Sequence, residues 1–160
     1  MRIDRLDLDR FGCFTGCSLD LSAPGTHVIV GHNAAGKITA MAAIRQLFFG
    51  ISARSSHAFN HASRDHRIGA LLRSDCGELL EIARVKRQAD TLRDGSDNVL
   101  DESVFTRLIH GIDADVFARL FTAGHEEIAS GGHKLLTSDG ELGRALFSAS
   151  RGSADINAVL

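Results

Sequence analysis

Gly31, Gly36 and Lys37 have the residue types and the spacing of a phosphate-binding loop. They lie in "GHNAAGKIT" (residues 31–39), which matches the pattern G-x-x-x-x-G-K. In such a loop, backbone N–H groups and the N-terminus of the following helix converge on phosphate, and the lysine ammonium reaches the terminal phosphates. Ile38 occupies the position at which a serine or threonine normally binds Mg²⁺. The residues therefore predict a nucleotide site that lacks one of its magnesium ligands.

A phosphate loop needs a buried strand before it and a helix after it. Upstream, "HVIV" (residues 27–30) is a short β-branched run after the Pro24-Gly25 turn, and it predicts a central strand of a parallel sheet. Downstream, Gly50 supplies a helix stop. Between the loop and Gly50, apolar residues recur at helical spacing, and they predict one buried face: Ile38, Met41, Ile44 and Phe48.

The remaining segments predict an antiparallel meander followed by helices. Leu6 and Leu8 alternate with Asp7 and Asp9 in a first strand, and "CSLDL" alternates in a second. Two strand-like runs, "RIGALLR" and "ELLEIARVKR", are joined by the turn signal "SDCG", and "TLRDGSDNVL" carries a further turn. From Asp101 the apolar spacing becomes helical, with Asp113 as a helix cap, and residues 140–160 read as a last helix.

Composition predicts one globular domain. The chain has 160 residues, 44% of them hydrophobic, and a formal net charge of -2, which gives no general argument for nucleic acid or an anionic membrane. No segment approaches the roughly 18 consecutive apolar residues of a membrane span, and the N-terminus is charged, so a cytoplasmic protein is expected. The 3 cysteines are expected to be free thiols in a reducing compartment.

Three further groups of residues are given structural interpretations. His57, His61 and His66 lack clean ligand spacing, so a polar loop is favoured over a metal site. The run "RVKRQ" (residues 84–88) is interpreted as an exposed strand face, although it could touch phosphate. The segment "CFTGC" (residues 13–17) is interpreted as a strand end with two small buried thiols. No metal ligand and no catalytic residue is assigned.

The ordered combination of these segments resembles one protein family. A strand ending in "FGCF", then "CSLDL", "HVIV", the phosphate loop, "RIGALLR" and the late "LFTAGHEEI" resemble the N-terminal ATPase lobe of the YhaN-like AAA proteins. That family is related to the SMC and double-strand-break-repair ATPases, in which a long coiled coil separates the two halves of an ABC-type head. The resemblance covers essentially the whole chain. It implies a P-loop NTPase α/β lobe with an antiparallel β meander and C-terminal helices.

The resemblance also implies ATP as the ligand. Thr39 would lie near the α-phosphate, and His125 in "AGHEE" takes the position of the Q-loop glutamine. Arg10 and Phe11 are weaker candidates for nucleotide contact. The full set of implied nucleotide-binding residues is Gly31, Asn33, Ala35, Gly36, Lys37, Ile38, Thr39 and His125.

Departures from the family pattern weaken the expected chemistry. The usual loop reads G-P-N-E-A-G-K-[ST]-T, whereas this chain has His32, Ala34 and Ile38 at the proline, glutamate and hydroxyl positions. Weak Mg²⁺ binding is therefore expected. A Walker B strand needs about four apolar residues before its acid, and "NVLDE" (residues 98–102) has too few. "ASGG" (residues 129–132) imitates an ABC signature, but it is interpreted as a glycine turn that ends a helix.

Two hypotheses follow. The first is a single ATP-binding lobe over residues 1–160 that lacks its C-terminal half and coiled coil, and that does not hydrolyse ATP alone. Its expected partners are a C-terminal ATPase lobe or a second head, a homodimer being usual in the family. DNA is kept as a candidate partner that the sequence itself does not show, and no membrane partner is expected. The alternative is a non-catalytic or truncated lobe that serves only as a partner-binding or structural module.

Overall fold

The first two strands form a tight hairpin in the computed structural model, which describes residues 1–52, 57 and 59–121. Strands β1 (Arg2–Phe11) and β2 (Phe14–Asp20) are antiparallel, with Phe11 opposite Phe14. The two-residue turn between them contains Gly12 at φ 62°, a left-handed conformation that glycine adopts without strain. Leu6 and Leu8 are buried, which confirms the alternation predicted for the first strand.

Three more strands complete an antiparallel sheet. They are β3 (Arg67–Arg73), β4 (Leu79–Val85) and β5 (Leu92–Asp94), and the sheet order is β2-β1-β3-β4-β5. The amide of Gly77 donates to the carbonyl of Ser74 (3.0 Å) in the turn between β3 and β4. After β5, the amide of Asp97 donates to the carbonyl of Asp94 (3.0 Å). Both turns lie where the sequence predicts them, so the meander is confirmed.

Helix α1 (Lys37–Phe49) covers one face of this sheet. It begins directly after the phosphate-loop glycine and ends at Gly50, as predicted. Its buried side chains pack against the apolar face of β1, β3 and β4 and so form the centre of the core, which includes Leu6, Leu8, Ala40, Ala43, Leu47, Phe48, Ile68, Ala70, Leu72 and Ile82.

Two short helices follow the sheet. Helix α2 (Glu102–Leu108) is capped by Asp101, and helix α3 (Ala114–Phe121) begins where the Asp113 carboxylate accepts the amide of Val116 at 2.7 Å, which confirms Asp113 as a cap. The Phe48 ring lies 5.4 Å from that of Phe105 and 5.3 Å from that of Phe117, so both helices pack against the end of α1. None of the described helices is both long and apolar enough to cross a bilayer.

Ion pairs cover the opposite face of the sheet. Arg5 pairs with Asp7 (2.8 Å) and reaches across to Glu81 (2.5 Å). Arg67 pairs with Asp9 (3.2 Å) in the same way. An antiparallel sheet can expose one face to water, and alternating charges make this face polar.

The predicted strand at residues 27–30 is wrong for the described structure. These residues are in neither a helix nor a strand, and Val28 and Val30 are 77% and 85% exposed. A central strand needs hydrogen-bonded neighbours, but the five described strands pair with one another and none pairs with residues 27–30. The fold of the described part of the chain is therefore mixed α/β with an antiparallel sheet.

Two smaller interpretations are also wrong. Arg84, the first residue of "RVKRQ", has a side chain that is 2% exposed, although this run was expected to be an exposed face. Cys13 is exposed in the β1–β2 turn, although its thiol was expected to be buried, while Cys17 is partly buried. All three cysteines are free thiols. His125, "AGHEE", "ASGG" and the helix expected over residues 140–160 lie outside the described residues.

Candidate functional site

The phosphate loop is an exposed turn that leads directly into α1. Gly36 has φ 94° and ψ 11°, and its position before the helix carries no side-chain cap. The first amide groups of a helix have no partner within the helix, so an uncapped start leaves donors for an anion. Within the loop, the amide of Ala35 donates to the carbonyl of His32 at 3.1 Å, which closes the turn.

The Lys37 side chain folds back onto this loop. Its ammonium donates to the carbonyl of Gly31 at 2.7 Å and to the carbonyl of His32 at 2.8 Å. The positive charge therefore lies in the concave side of the turn, where a phosphate would be expected. Both acceptors are neutral carbonyls, which a phosphate oxygen can replace with a stronger, charge-assisted bond.

Ala34 holds a backbone conformation that is uncommon for its type. Its φ is 64°, in the left-handed region that costs a residue with a side chain roughly 1–2 kcal/mol. Such strain persists when the surrounding geometry requires it, and it occurs often at ligand-binding loops. Asn33 and Ala35, its neighbours, are exposed.

Ile38 and Thr39 take different positions on the first turn of α1. Ile38 is 74% exposed and does not belong to the buried face of the helix, so its predicted place on that face is wrong. Thr39 is partly buried, and its methyl group lies against Gly12. Successive helix residues point about 100° apart, which explains why one side chain faces solvent and the other faces the β1–β2 turn.

The β1–β2 turn forms the floor of the phosphate loop. A β-carbon placed on Gly36 would lie 2.6 Å from Phe14 Cζ and 2.7 Å from Cys13 Sγ, closer than real side chains approach. A β-carbon placed on Gly12 would overlap the Thr39 methyl group. Glycine at both positions therefore allows the turn and the loop to touch. The close approach of Cys13 and Phe14 to the loop was not predicted from the sequence, although a glycine between bulky residues at a strand end was a usable signal.

A second layer of residues supports this floor. The Asn60 amide nitrogen donates to the carbonyl of Cys13 (3.4 Å), and His61 Nε2 donates to the carbonyl of Phe14 (2.8 Å). The ring of His57 stacks on Phe11 with centroids 5.1 Å apart. Phe11 is fully buried, so it cannot touch a nucleotide at the surface; Arg10 is exposed and donates to the carbonyl of Asp65 (3.1 Å).

The imidazole ring of His66 closes the base of this layer, and the backbone of this residue bonds to Ser63 and Lys86. It is 1% exposed, and neither ring nitrogen has a partner among the described residues. Burial lowers its pKa, and the nearby His61, His57 and Lys86 lower it further. Within the described part of the chain, no group of three or more histidine, cysteine or acidic side chains is placed to hold a metal ion.

The acidic pair in "NVLDE" has structural contacts. Asp101 accepts the amide of Ser103 at 2.7 Å, and the hydroxyl and amide of Ser103 hold the pKa of Asp101 below its usual value. Glu102 pairs with the buried Arg84. Both carboxylates therefore stabilise α2 and its contact with the sheet, which supports the interpretation that this segment is not a Walker B motif.

Arg84 fixes the far end of α1. Its guanidinium donates to the carbonyls of Leu47 (3.0 Å) and Phe48 (3.3 Å), which are among the last in the helix. The last turn of α1 has no basic residue of its own, so Arg84 supplies the cation that the negative end of the helix dipole favours. The helix that carries the phosphate loop at its N-terminus is thus attached to the sheet at its C-terminus.

Comparison with known proteins assigns this chain to a family. A family model described as an AAA domain matches residues 1–160. No curated protein matches the sequence. AAA domains are nucleotide-binding, ATPase-like units, and the match includes the loop, helix α1 and the whole sheet. The chain therefore belongs to this AAA-domain family.

Proposed function

We propose that this chain is the N-terminal ATPase lobe of a YhaN-like, SMC-related ATPase, and that it binds ATP without hydrolysing it alone. The observation that carries the proposal is the Lys37 ammonium held by two loop carbonyls at the uncapped start of α1. The arrangement offers an anion a mobile cation and unpaired backbone donors at one place.

ATP binding would exchange one set of contacts for another. The ammonium of Lys37 would leave the carbonyls of Gly31 and His32 and reach the β- and γ-phosphates. Backbone amides of Asn33 and Gly36 would surround the β-phosphate, joined by that of Ala35 once it leaves the carbonyl of His32. Thr39 would lie near the α-phosphate. His125, at the Q-loop position of the family, would contact the γ-phosphate side of the nucleotide.

Magnesium binding would be weak, because the loop lacks its hydroxyl ligand. Ile38 cannot coordinate a metal, and the Thr39 methyl group faces Gly12. Mg²⁺ keeps several water ligands in protein sites, so a water in place of the missing hydroxyl would still allow it to bind between the phosphates. We therefore expect the metal to strengthen ATP binding less than it does in an intact P-loop.

Hydrolysis would need groups from a second lobe. A water-activating carboxylate and a signature segment are both required in ABC-type heads, and Asp101 and Glu102 already have structural contacts. Residues 28–30 support the presence of such a partner. Val28, Ile29 and Val30 are 77%, 48% and 85% exposed, which is unusual for three consecutive β-branched residues. We propose that strands of a C-terminal lobe pair with this segment and that two such heads associate.

The alternative function is a lobe that binds a partner and no nucleotide. The exposed Ile38 favours it. A loop that no longer binds Mg²⁺ for catalysis does not need a hydroxyl at this position, so it tolerates isoleucine there. DNA could be bound by the assembled heads, but the net charge of -2 gives this chain no electrostatic argument for it.

Equilibrium binding of ATP with the Lys37→Ala variant separates the two functions. The first function predicts saturable binding by the wild type and a loss of at least about tenfold in the variant, because a charge-assisted contact to phosphate is removed. Arg45→Ala is the matched control, since it removes an exposed cation from the same helix. Absence of saturable binding up to millimolar ATP would support the alternative.

Cysteine labelling locates the ligand independently. Cys13 lies against Gly36, so bound ATP should slow its reaction with a maleimide. Cys76 is the internal standard, because it is exposed in the turn between β3 and β4, and the Ser74 hydroxyl lowers its pKa and keeps it reactive. Equal protection of both thiols would show a general effect and would argue against a nucleotide at this loop.

A further inference from the structure

Phe59 is a large apolar side chain exposed beside the phosphate loop. It is 61% exposed, although phenylalanine is among the residues most often buried. The residues that follow it, Asn60 and His61, bond to the β1–β2 hairpin. An exposed ring next to a ligand-binding loop is a candidate contact surface for that ligand.

Distances from Gly12 give the position of the Phe59 ring relative to α1. A β-carbon on Gly12 would lie 3.5 Å from Phe59 Cε2 and would overlap the methyl group of Thr39. The edge of the phenyl ring and the Thr39 side chain therefore meet over the same glycine. Thr39 lies two residues beyond Lys37 on the first turn of the helix, so the ring is on the side of the loop that the β1–β2 turn occupies.

The residues around Phe59 hold the segment against the sheet. Asn60 donates to the carbonyl of Cys13 (3.4 Å), and His61 donates to the carbonyl of Phe14 (2.8 Å). On its other side, the His57 ring is 6.0 Å from the Phe59 ring and stacks in turn on Phe11. The phenyl face is thus presented by a segment that is already attached, which lowers the entropy cost of using it for binding.

We propose that Phe59 is the aromatic platform on which the base of the bound nucleotide stacks. The inference rests on the proposed function, because the phosphates must first be held by the loop. With the α-phosphate near Thr39, the nucleoside extends away from Lys37, and Phe59 offers an exposed π surface on that side. Aromatic rings stack on nucleobases in offset geometry, and larger bases gain more contact.

The chemistry of the ring defines the selectivity. A phenyl group offers no hydrogen-bond donor or acceptor, so it cannot distinguish adenine from guanine by polar contacts. It can favour a purine over a pyrimidine through contact area. We therefore expect ATP and GTP to bind within a few-fold of each other, and CTP to bind more weakly than both.

The test compares ATP with inorganic tripolyphosphate, which carries the phosphates without a base. Phe59→Ala should weaken ATP binding on the order of tenfold and leave tripolyphosphate binding unchanged. Leu79→Ala is the control: Leu79 is also more than half exposed, and it starts β4 at the end of the sheet away from the β1–β2 turn. A direct readout is available in Phe59→Trp, because the chain has 0 Trp and 0 Tyr, and stacking of a base should quench this single fluorophore.

The outcomes distinguish failure of the aromatic platform from failure of the proposed function. Equal losses for ATP and tripolyphosphate in Phe59→Ala would show that the ring supports the loop and would overturn the platform, as would no loss for either ligand. Binding of tripolyphosphate as tight as that of ATP by the wild type would also overturn it, while the phosphate site would stand. If the wild type binds neither ligand, the proposed function fails and the platform fails with it.

Discussion

Replacing Arg84 should destabilise the chain by an amount that its contacts allow to be estimated. Arg84→Met keeps a long unbranched side chain and removes the guanidinium. The carbonyls of Leu47 and Phe48 then lose their donors inside the protein, and hydrogen bonds to a charged group contribute about 1.5–3 kcal/mol each. Part of this loss is offset, because an arginine that is 2% exposed no longer has to be desolvated.

Glu102, the carboxylate partner of Arg84, sets an upper limit on the loss of unfolding free energy. Removing one member of a buried ion pair costs about 3–5 kcal/mol when the other charge remains buried. The Glu102 side chain is 56% exposed, so water can hydrate it after Arg84 is replaced. We therefore expect Arg84→Met to lower the free energy of unfolding by about 2–3 kcal/mol.

Glu102→Gln provides the second edge of a double-mutant cycle. It leaves the Arg84 charge buried among neutral acceptors and should cost about 1–2 kcal/mol. The double variant should be nearly as stable as Arg84→Met alone, because Glu102 has lost its partner there already. The measurement is urea unfolding followed by far-ultraviolet circular dichroism, with unchanged m-values as a condition for comparison.

Arg87→Met is the matched control for this series. Arg87 belongs to the same basic run but is exposed, so its replacement should change the unfolding free energy by less than about 0.5 kcal/mol. A cost of Arg84→Met no larger than that of Arg87→Met would refute the role of Arg84 as the anchor of α1. Strict additivity of the Arg84 and Glu102 effects would refute the coupling between them.

Three further changes test the loop and the buried histidine. Ile38→Thr should strengthen Mg²⁺-dependent ATP binding and leave metal-free binding nearly unchanged, because it restores a metal ligand at a position that is 74% exposed; calorimetric titrations with and without Mg²⁺ measure this. Ala34→Gly should raise the unfolding free energy by about 0.5–1 kcal/mol by relieving a left-handed φ of 64°, whereas Ala35→Gly should lower it by a similar amount. The free energy of unfolding should fall as the pH drops below 6.5, the pKa of histidine in the unfolded chain. Burial lowers the pKa of His66 in the folded protein, so the unfolded chain binds the additional proton first. His66→Phe should reduce the dependence of the unfolding free energy on pH, measured by urea unfolding between about pH 7 and 5.

Each of these changes has an outcome that contradicts it. A lower melting temperature for Ile38→Thr without any change in the magnesium titration would mean that the loop no longer binds magnesium nucleotide. Equal effects of glycine at positions 34 and 35 would mean that the left-handed φ stores no strain. For the histidine, His27→Gln removes an exposed imidazole as a control, and an equal reduction of the slope in both variants would exclude a specific role for His66.

Local signals were enough to predict most of the described elements. The alternation of Leu6 and Leu8 with aspartates predicted β1, and Gly50 predicted the end of α1, since both signals act within a few residues. The order of the loop and its helix was also readable, because the motif itself requires the helix start at Lys37. These predictions depend on backbone preferences and periodicity, which distant parts of the chain do not alter.

Predictions failed where the answer depended on distant partners. Residues 27–30 have a strand composition, but a strand forms only with hydrogen-bonded neighbours, and the described residues provide none for them. Arg84 carries a charge that favours solvent, yet the carbonyls at the end of α1 stabilise it in the interior. The contacts of Gly36 with Cys13 and of Gly12 with Thr39 join segments far apart in sequence, so a glycine at a strand end indicates a close approach but not the partner.

The contact between the first hairpin and the phosphate loop has a consequence for how this sequence can evolve. A side chain at Gly12 would collide with Thr39, and a side chain at Gly36 would collide with Cys13 and Phe14. Mutations at these positions should therefore be acceptable only in combination, for example when a smaller residue at position 39 precedes a larger one at position 12. Even then, the left-handed φ of 62° at position 12 favours small, flexible types such as asparagine. In an alignment of relatives, positions 12 and 39 should covary, and so should position 36 with positions 13 and 14. The hairpin would then be inherited together with the nucleotide loop, even in descendants that no longer bind nucleotide.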